Sequence, residues 1–154
     1  MRFECKNIIK IVLIILILST VAFIFARSLK SPERSSEESD MVGDIVGEVI
    51  PPETKPGEFL QLNLRKIAHF VEFAVLGIEL ALYVLFFVRK KAAVALSYSF
   101  GMLVSLIDET IQIYSGRSSS VSDVWLDFFG FVTFATLTYG AALLLAFLRK
   151  DLVK

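Results

Sequence analysis

Four long apolar runs divide the chain, and the polar positions fall between them or at their edges. Residues 8 to 26 are almost unbroken hydrophobic sequence behind Arg2, Lys6 and Lys10. A second run extends from Lys66 to Val88 and is stopped by Arg89-Lys90-Lys91. A third runs from Ala92 to Tyr114. A fourth opens near Ser120 or Ser122 and ends at Arg149-Lys150. Each meets the roughly 20 residues that a helix needs to cross a hydrocarbon core. The only long polar segment, Arg27 to Asn63, separates the first run from the rest. The pattern predicts an all-α polytopic membrane protein: a four-transmembrane-helix bundle with an extracytoplasmic linker containing a short amphipathic helix. It divides the chain into an N-terminal transmembrane anchor (1–26), the linker (27–63) and a three-helix core (64–154).

Basic residues ahead of an apolar core also describe a secretory signal. A signal core is usually about 7 to 15 residues long and ends in a small-x-small cleavage site. The first run is longer, and Ile24-Phe25-Ala26 cleaves poorly, so a retained anchor is expected over a cleaved signal. Within the linker, Ser31 to Glu38 is poor in apolar residues and reads as solvated chain. Beyond it Met41, Val42, Ile45, Val46, Val49 and Ile50 recur at helical spacing opposite Asp44 and Glu48. They predict an amphipathic helix ended by Pro51-Pro52, lying on the membrane face or capping the bundle. Ser115 to Ser118 reads as a turn, and Ser120 with Asp123 stands in capping-box spacing at the start of the fourth run.

Composition adds little except through placement. Of 154 residues, 55% are apolar, and 16 basic residues balance 16 acidic ones, so bulk charge does not point to nucleic acid. The single cysteine, Cys5, excludes an internal disulfide and a cysteine metal framework. Lysine and arginine near the amino terminus, in the Arg89-Lys90-Lys91 hairpin and in the Arg149-Lys150 tail share one side. By the positive-inside rule that side is cytoplasmic, with both termini. Arg27, Lys30 and Arg34 oppose this but sit among Glu33, Glu37 and Glu38. The expected location is the cell membrane, with the stretch Asp108 to Asp127 facing outward.

That stretch carries the candidate chemistry. Arg65, His69, Glu72, Leu76 and Glu79 share one face of the second helix, while Ala74, Gly77 and Ala81 line the opposite face. Small residues there let a neighbouring helix come close. Ser97, Gly101 and Ser105 form a similar seam on the third helix, leading into Asp108, Glu109 and Gln112. On the fourth, Asp123, Asp127, Gly130 and Phe134 share a face. Counted from the helix ends, His69, Glu72, Asp108, Glu109, Gln112, Asp123 and Asp127 fall at one depth near the outer leaflet. Charged groups within a bilayer are costly and persist chiefly in bundle interiors or aqueous cavities. Convergence from three helices therefore predicts a site.

His69, Glu72, Glu109 and Asp123 are the acid–base candidates, and Arg65, Asp108, Gln112, Arg117 and Asp127 the ligand-binding ones. Arg65, Lys66 and Arg117 suit a phosphate or carboxylate. The alternatives are a register-fixing salt-bridge network, a structural histidine, and an Asp123 that only caps its helix. Glu79, deeper and near the level of Ser99, Thr138 and Tyr139, is expected to be neutral and hydrogen-bonded. A metal held by His69, Glu72, Glu109 and Asp123 is a weaker reading with a lone histidine, and neither metal nor cofactor is assigned.

The blocks Arg65-Lys66-Ile67-Ala68-His69-Phe70-Val71-Glu72-Phe73 with Leu76-Gly77, Asp108-Glu109-Thr110-Ile111-Gln112, and Gly116-Arg117 with Ser122-Asp123-Val124 resemble the VanZ-like family of bacterial membrane proteins. The match covers about Arg65 to Gly140. Phe73 stands where the family usually has tyrosine, and Asp127 where it usually has asparagine. The resemblance implies a multi-pass protein connected with low-level resistance to the glycopeptide teicoplanin. The family motif falls here on Arg65, His69, Glu72, Glu109, Gln112, Arg117 and Asp123. The resemblance supplies no reaction. The leading expectation is an envelope protein whose outward polar pocket engages membrane lipids, a lipidated glycopeptide or a lipid-linked envelope precursor. Catalysis on an envelope lipid by His/Glu acid–base chemistry, proton-coupled transport through Glu79, and a structural partner-binding role remain as alternatives.

Overall fold

A computed structural model describes residues 2–88 and 90–151 as helices joined by short turns. They are α1 (Arg2–Ser28), α2 (Pro32–Val49), α3 (Lys55–Tyr83), α4 (Lys91–Tyr114) and α5 (Val121–Asp151). A π-helical stretch, Val84–Val88, continues α3. Four of these helices are long and apolar enough to cross a membrane. Helices dominate because lipid offers no partner for backbone amides, so each span must satisfy its own. Arg89, one of the three basic residues expected to stop the second span, lies outside the described residues.

Helix α3 is the centre of the bundle. It packs against α5 on one side and α1 on the other, with α4 closing against α5, α1 and α3. Its small-residue face does what its spacing predicts. A Cβ on Gly77 would collide with the backbone carbonyl of Phe131, and one on Gly130 would lie 2.5 Å from the carbonyl of Phe70. The two helix backbones thus run nearly in contact. The Phe131 ring in turn fills the notch at Gly101 on α4. Phe73, Leu76, Ala81, Val104, Phe131 and Ala135 form the core between them, with Ile17 and Ile24 added from α1.

Two boundaries differ from the sequence reading. The stretch Ser31 to Glu38, expected as solvated chain, is the first half of α2, which runs without a break to Val49. Proline at the first helical position after Ser31 presets the backbone there, and the Lys30 ammonium bonds Glu38. That contact holds the Glu38 carboxyl below its ordinary range. Polar composition was the wrong guide, because glutamate, arginine and serine cost little in a solvated helix. The second helix likewise begins at Lys55, not near Lys66. Its N-cap, Thr54, accepts a hydrogen bond from the Gly57 amide at 3.2 Å. With the π-helical stretch the second run spans 34 residues, about 50 Å at 1.5 Å per residue, against a hydrocarbon core of about 30 Å. The helix is therefore longer than an untilted crossing requires. Helix α2 lies against it, with Gly43 beside Leu64, and leaves Met41, Ile45 and Val49 exposed.

Candidate functional site

The polar groups gather at one end of the bundle, where α1 and α4 finish, α5 starts and α3 passes through. The joint between α4 and α5 is dictated locally. Gly116 has φ of 75°, which glycine adopts without strain. The Arg117 amide bonds the Gln112 carbonyl at 3.0 Å and the Gly116 amide bonds the Ile113 carbonyl at 3.1 Å. This pair of bonds is a Schellman closure of α4. Ser120 then caps α5, accepting from the Asp123 amide at 3.3 Å and donating to the Asp123 carboxylate at 2.8 Å. The turn reverses the chain tightly enough to fold Arg117 back under the bundle end. Replacing Gly116 by alanine forces the left-handed backbone onto a residue that resists it, at about 1 to 2 kcal/mol. Chemical unfolding in micelles is expected to register that loss.

Arg117 is buried, and its Nη1 donates to the Arg27 carbonyl at 3.1 Å. That carbonyl belongs to the last turn of α1 and also accepts from the Lys30 amide at 3.2 Å, so the guanidinium adds a second bond at the end of α1 from a position 90 residues away. Burial, and the nearby Arg65 charge, pull the guanidinium below its ordinary pKa; it nonetheless stays charged at any physiological pH.

Helix α1 contributes two more groups. Arg27 forms an ion pair with Glu72, and Ser28 donates to Asp108 Oδ1 at 2.6 Å. The other Asp108 oxygen accepts from the Gln112 amide at 2.8 Å, and Gln112 accepts from Arg65 at 2.6 Å. Glu109 takes a second bond from Gln112 at 3.0 Å and one from Ser119. His69 Nδ1 sits 3.6 Å from Asp108 Oδ2 and 3.9 Å from Glu72 Oε2, beyond hydrogen-bonding reach of either. Lys66 stands 4.0 Å from Asp123 at the exposed rim.

A cavity of about 190 Å³ opens between α3, α4 and α5. Arg65, Lys66, His69, Glu109, Gln112, Asp123 and Asp127 line it, with Ser118 at its edge. Arg117 lies behind this space against α1, and Glu72 is turned to Arg27. Asp108 is fully buried, with its Oδ2 3.6 Å from His69 Nδ1. Glu79 Oε1 accepts from Thr20 of α1 at 3.1 Å. Phe73, at the position where a tyrosine was noted as usual, is completely buried in the core.

Sequence reasoning missed Arg27, Ser28, Thr20 and Ser119. For Arg27 a signal existed: a guanidinium ending an apolar run near carboxylates of other helices. The same position also fits a charge that only sets topology. Ser28 and Thr20 carry no such signal, because a hydroxyl in an apolar helix is usually satisfied by its own backbone.

Residues 12–146 match the family model described as VanZ/LLP1. The matched span includes most of α1 as well as α3 to α5. Comparison with curated proteins and with solved structures found no match.

Proposed function

The chain belongs to the VanZ/LLP1 family, and from that premise we propose that it is an envelope protein whose polar cavity faces outward and holds the anionic headgroup of a lipid-linked or lipidated amphiphile. One observation supports this reading: Arg65 and Lys66 both line the cavity, on a helix longer than the hydrocarbon core requires. A guanidinium and an ammonium at headgroup level meet phosphate or carboxylate with charge-assisted bonds. The apolar sides of α3 and α5 beside them suit an acyl or polyprenyl chain. The outward direction rests on the lysine and arginine distribution. In a Cys5→Ser background, Ser118→Cys should react with an impermeant maleimide in intact cells.

The direct test is binding of a polyprenyl phosphate, and separately of teicoplanin, to the protein in phosphatidylcholine nanodiscs. Arg65→Ala is expected to weaken the bound amphiphile by about 10- to 100-fold, the worth of a charged hydrogen bond. Equal affinity in Arg65→Ala and Lys66→Ala would remove the proposal. Binding of teicoplanin alone would identify the antibiotic itself as ligand, and that outcome predicts raised teicoplanin tolerance in cells expressing the protein. A second reading, acid–base catalysis on the bound lipid, is favoured by His69, which lines the cavity with an unpartnered Nδ1. It predicts product from the polyprenyl phosphate that His69→Ala does not form.

A further inference from the structure

We propose that His69, Asp108 and Asp127 form a binding site for one divalent transition-metal ion, of the manganese or zinc type. One potential ligand atom from each residue lies within 4.8 Å of the other two. His69 Nδ1 and Asp108 Oδ2 are already 3.6 Å apart. Metal–ligand bonds of about 2.1 Å put neighbouring ligands roughly 3 to 3.5 Å apart, so closing the set needs only small side-chain rotations.

Two of these groups lack any other occupation. His69 is 6% exposed and Asp127 1% exposed, yet His69 Nδ1 and Asp127 Oδ2 have no hydrogen-bond partner. Burying a polar atom without a partner is costly, so such atoms call for an explanation. Asp127 has no cation within ion-pair distance among the described residues, while Arg27 is committed to Glu72. By formal count the acids Glu72, Asp108, Glu109, Asp123 and Asp127 outnumber Arg27, Arg65, Lys66 and Arg117 by one.

The surroundings fit a metal centre in two further ways. Asp108 is oriented by Ser28 at 2.6 Å and by Gln112 at 2.8 Å, and outer bonds of this kind position first ligands. His69 and Asp127 also line the open cavity, which supplies an entry path and room for a water ligand. An imidazole with two carboxylates favours manganese or zinc over magnesium or calcium, which prefer oxygen alone.

The ion does not require the amphiphile proposed above, and it is measured without one. Chelator-treated protein in detergent micelles is titrated with Mn²⁺ and followed by electron paramagnetic resonance, with Zn²⁺ as competitor. The expected result is one equivalent of Mn²⁺ displaced by Zn²⁺, with nitrogen coupling from a single imidazole. Asp127→Asn keeps the side-chain shape and is expected to weaken Mn²⁺ at least about 100-fold. Glu79→Gln, far from the set, is expected to bind as the parent does. Failure of the folded parent to bind either ion overturns the site, as does bound Mn²⁺ without imidazole coupling. Asp127→Asn with parent affinity overturns it equally. None of these outcomes bears on whether Arg65 and Lys66 hold an anion.

Discussion

Replacing Gly77 with alanine is expected to destabilise the protein by about 3 kcal/mol, the upper end of what overpacking costs. The new methyl would meet the Phe131 carbonyl oxygen inside van der Waals contact and the Ala135 nitrogen at 3.2 Å. Both obstacles are backbone atoms of a continuous helix. A side chain turns aside, but a helical carbonyl moves only with its whole helix. Relief therefore requires α5 to shift away from α3, loosening the Phe131 packing at Gly101 and widening the gap between His69 and Asp127. Gly140 is the matched control. It sits on the same helix as Phe131, but nothing lies within 4 Å of its added Cβ. There alanine gains its helix preference of about 1 kcal/mol. The two substitutions are thus predicted to have opposite signs in chemical unfolding. If Gly77→Ala proved as harmless as Gly140→Ala, the close approach of α3 and α5 would be wrong.

Removing the Arg27 side chain is expected to have a comparable effect for an electrostatic reason. Glu72 is only 10% exposed, and its second oxygen already lacks a partner. Arg27→Ala leaves a buried carboxylate with no cation, a change that typically costs about 3 to 5 kcal/mol. Arg27 itself is 25% exposed, so the reverse deletion, Glu72→Gln, strands a charge that reaches water more easily and costs less. Replacing both by apolar residues of similar volume, Arg27→Met with Glu72→Leu, is expected to recover most of the loss. Such double replacements of buried ion pairs are often neutral. A double variant as unstable as Arg27→Ala alone would mean that Arg27 acts through some contact other than Glu72.

That ion pair also shows where reading the chain stopped short. The first apolar run reads as an anchoring helix of the four-helix bundle with no polar role, yet α1 supplies Arg27 and Ser28 to the polar cluster and Thr20 to Glu79. Little in residues 8 to 26 distinguishes a lipid-facing span from a packed one, because apart from Lys10, Ser19 and Thr20 its side chains are apolar. The sites of the contacts are separated by 45, 80 and 59 residues. Periodicity is blind to such distances. It does report faces within a helix, which is why Gly77, Ala74 and Ala81 were recognised as a packing surface before their partner was known. The starts of α2 and α3 were legible too, in Ser31-Pro32 and in Thr54-Pro56, but the polar composition of that region masked both.

By itself, the sequence determines the number of membrane helices, the faces on which polar and small residues fall, and the end of the bundle at which they collect. These follow from short-range physics: backbone groups in lipid must bond within their own helix, and side chains repeat every 3.6 residues. Only the tertiary structure decides which charges pair and which are left over. Arg27 neutralises Glu72, Arg117 closes the end of α1, and Asp127 is left buried beside His69. Pairing depends on ångström distances between helices, and those are set by packing at Gly77, Gly101 and Gly130 rather than by any local pattern.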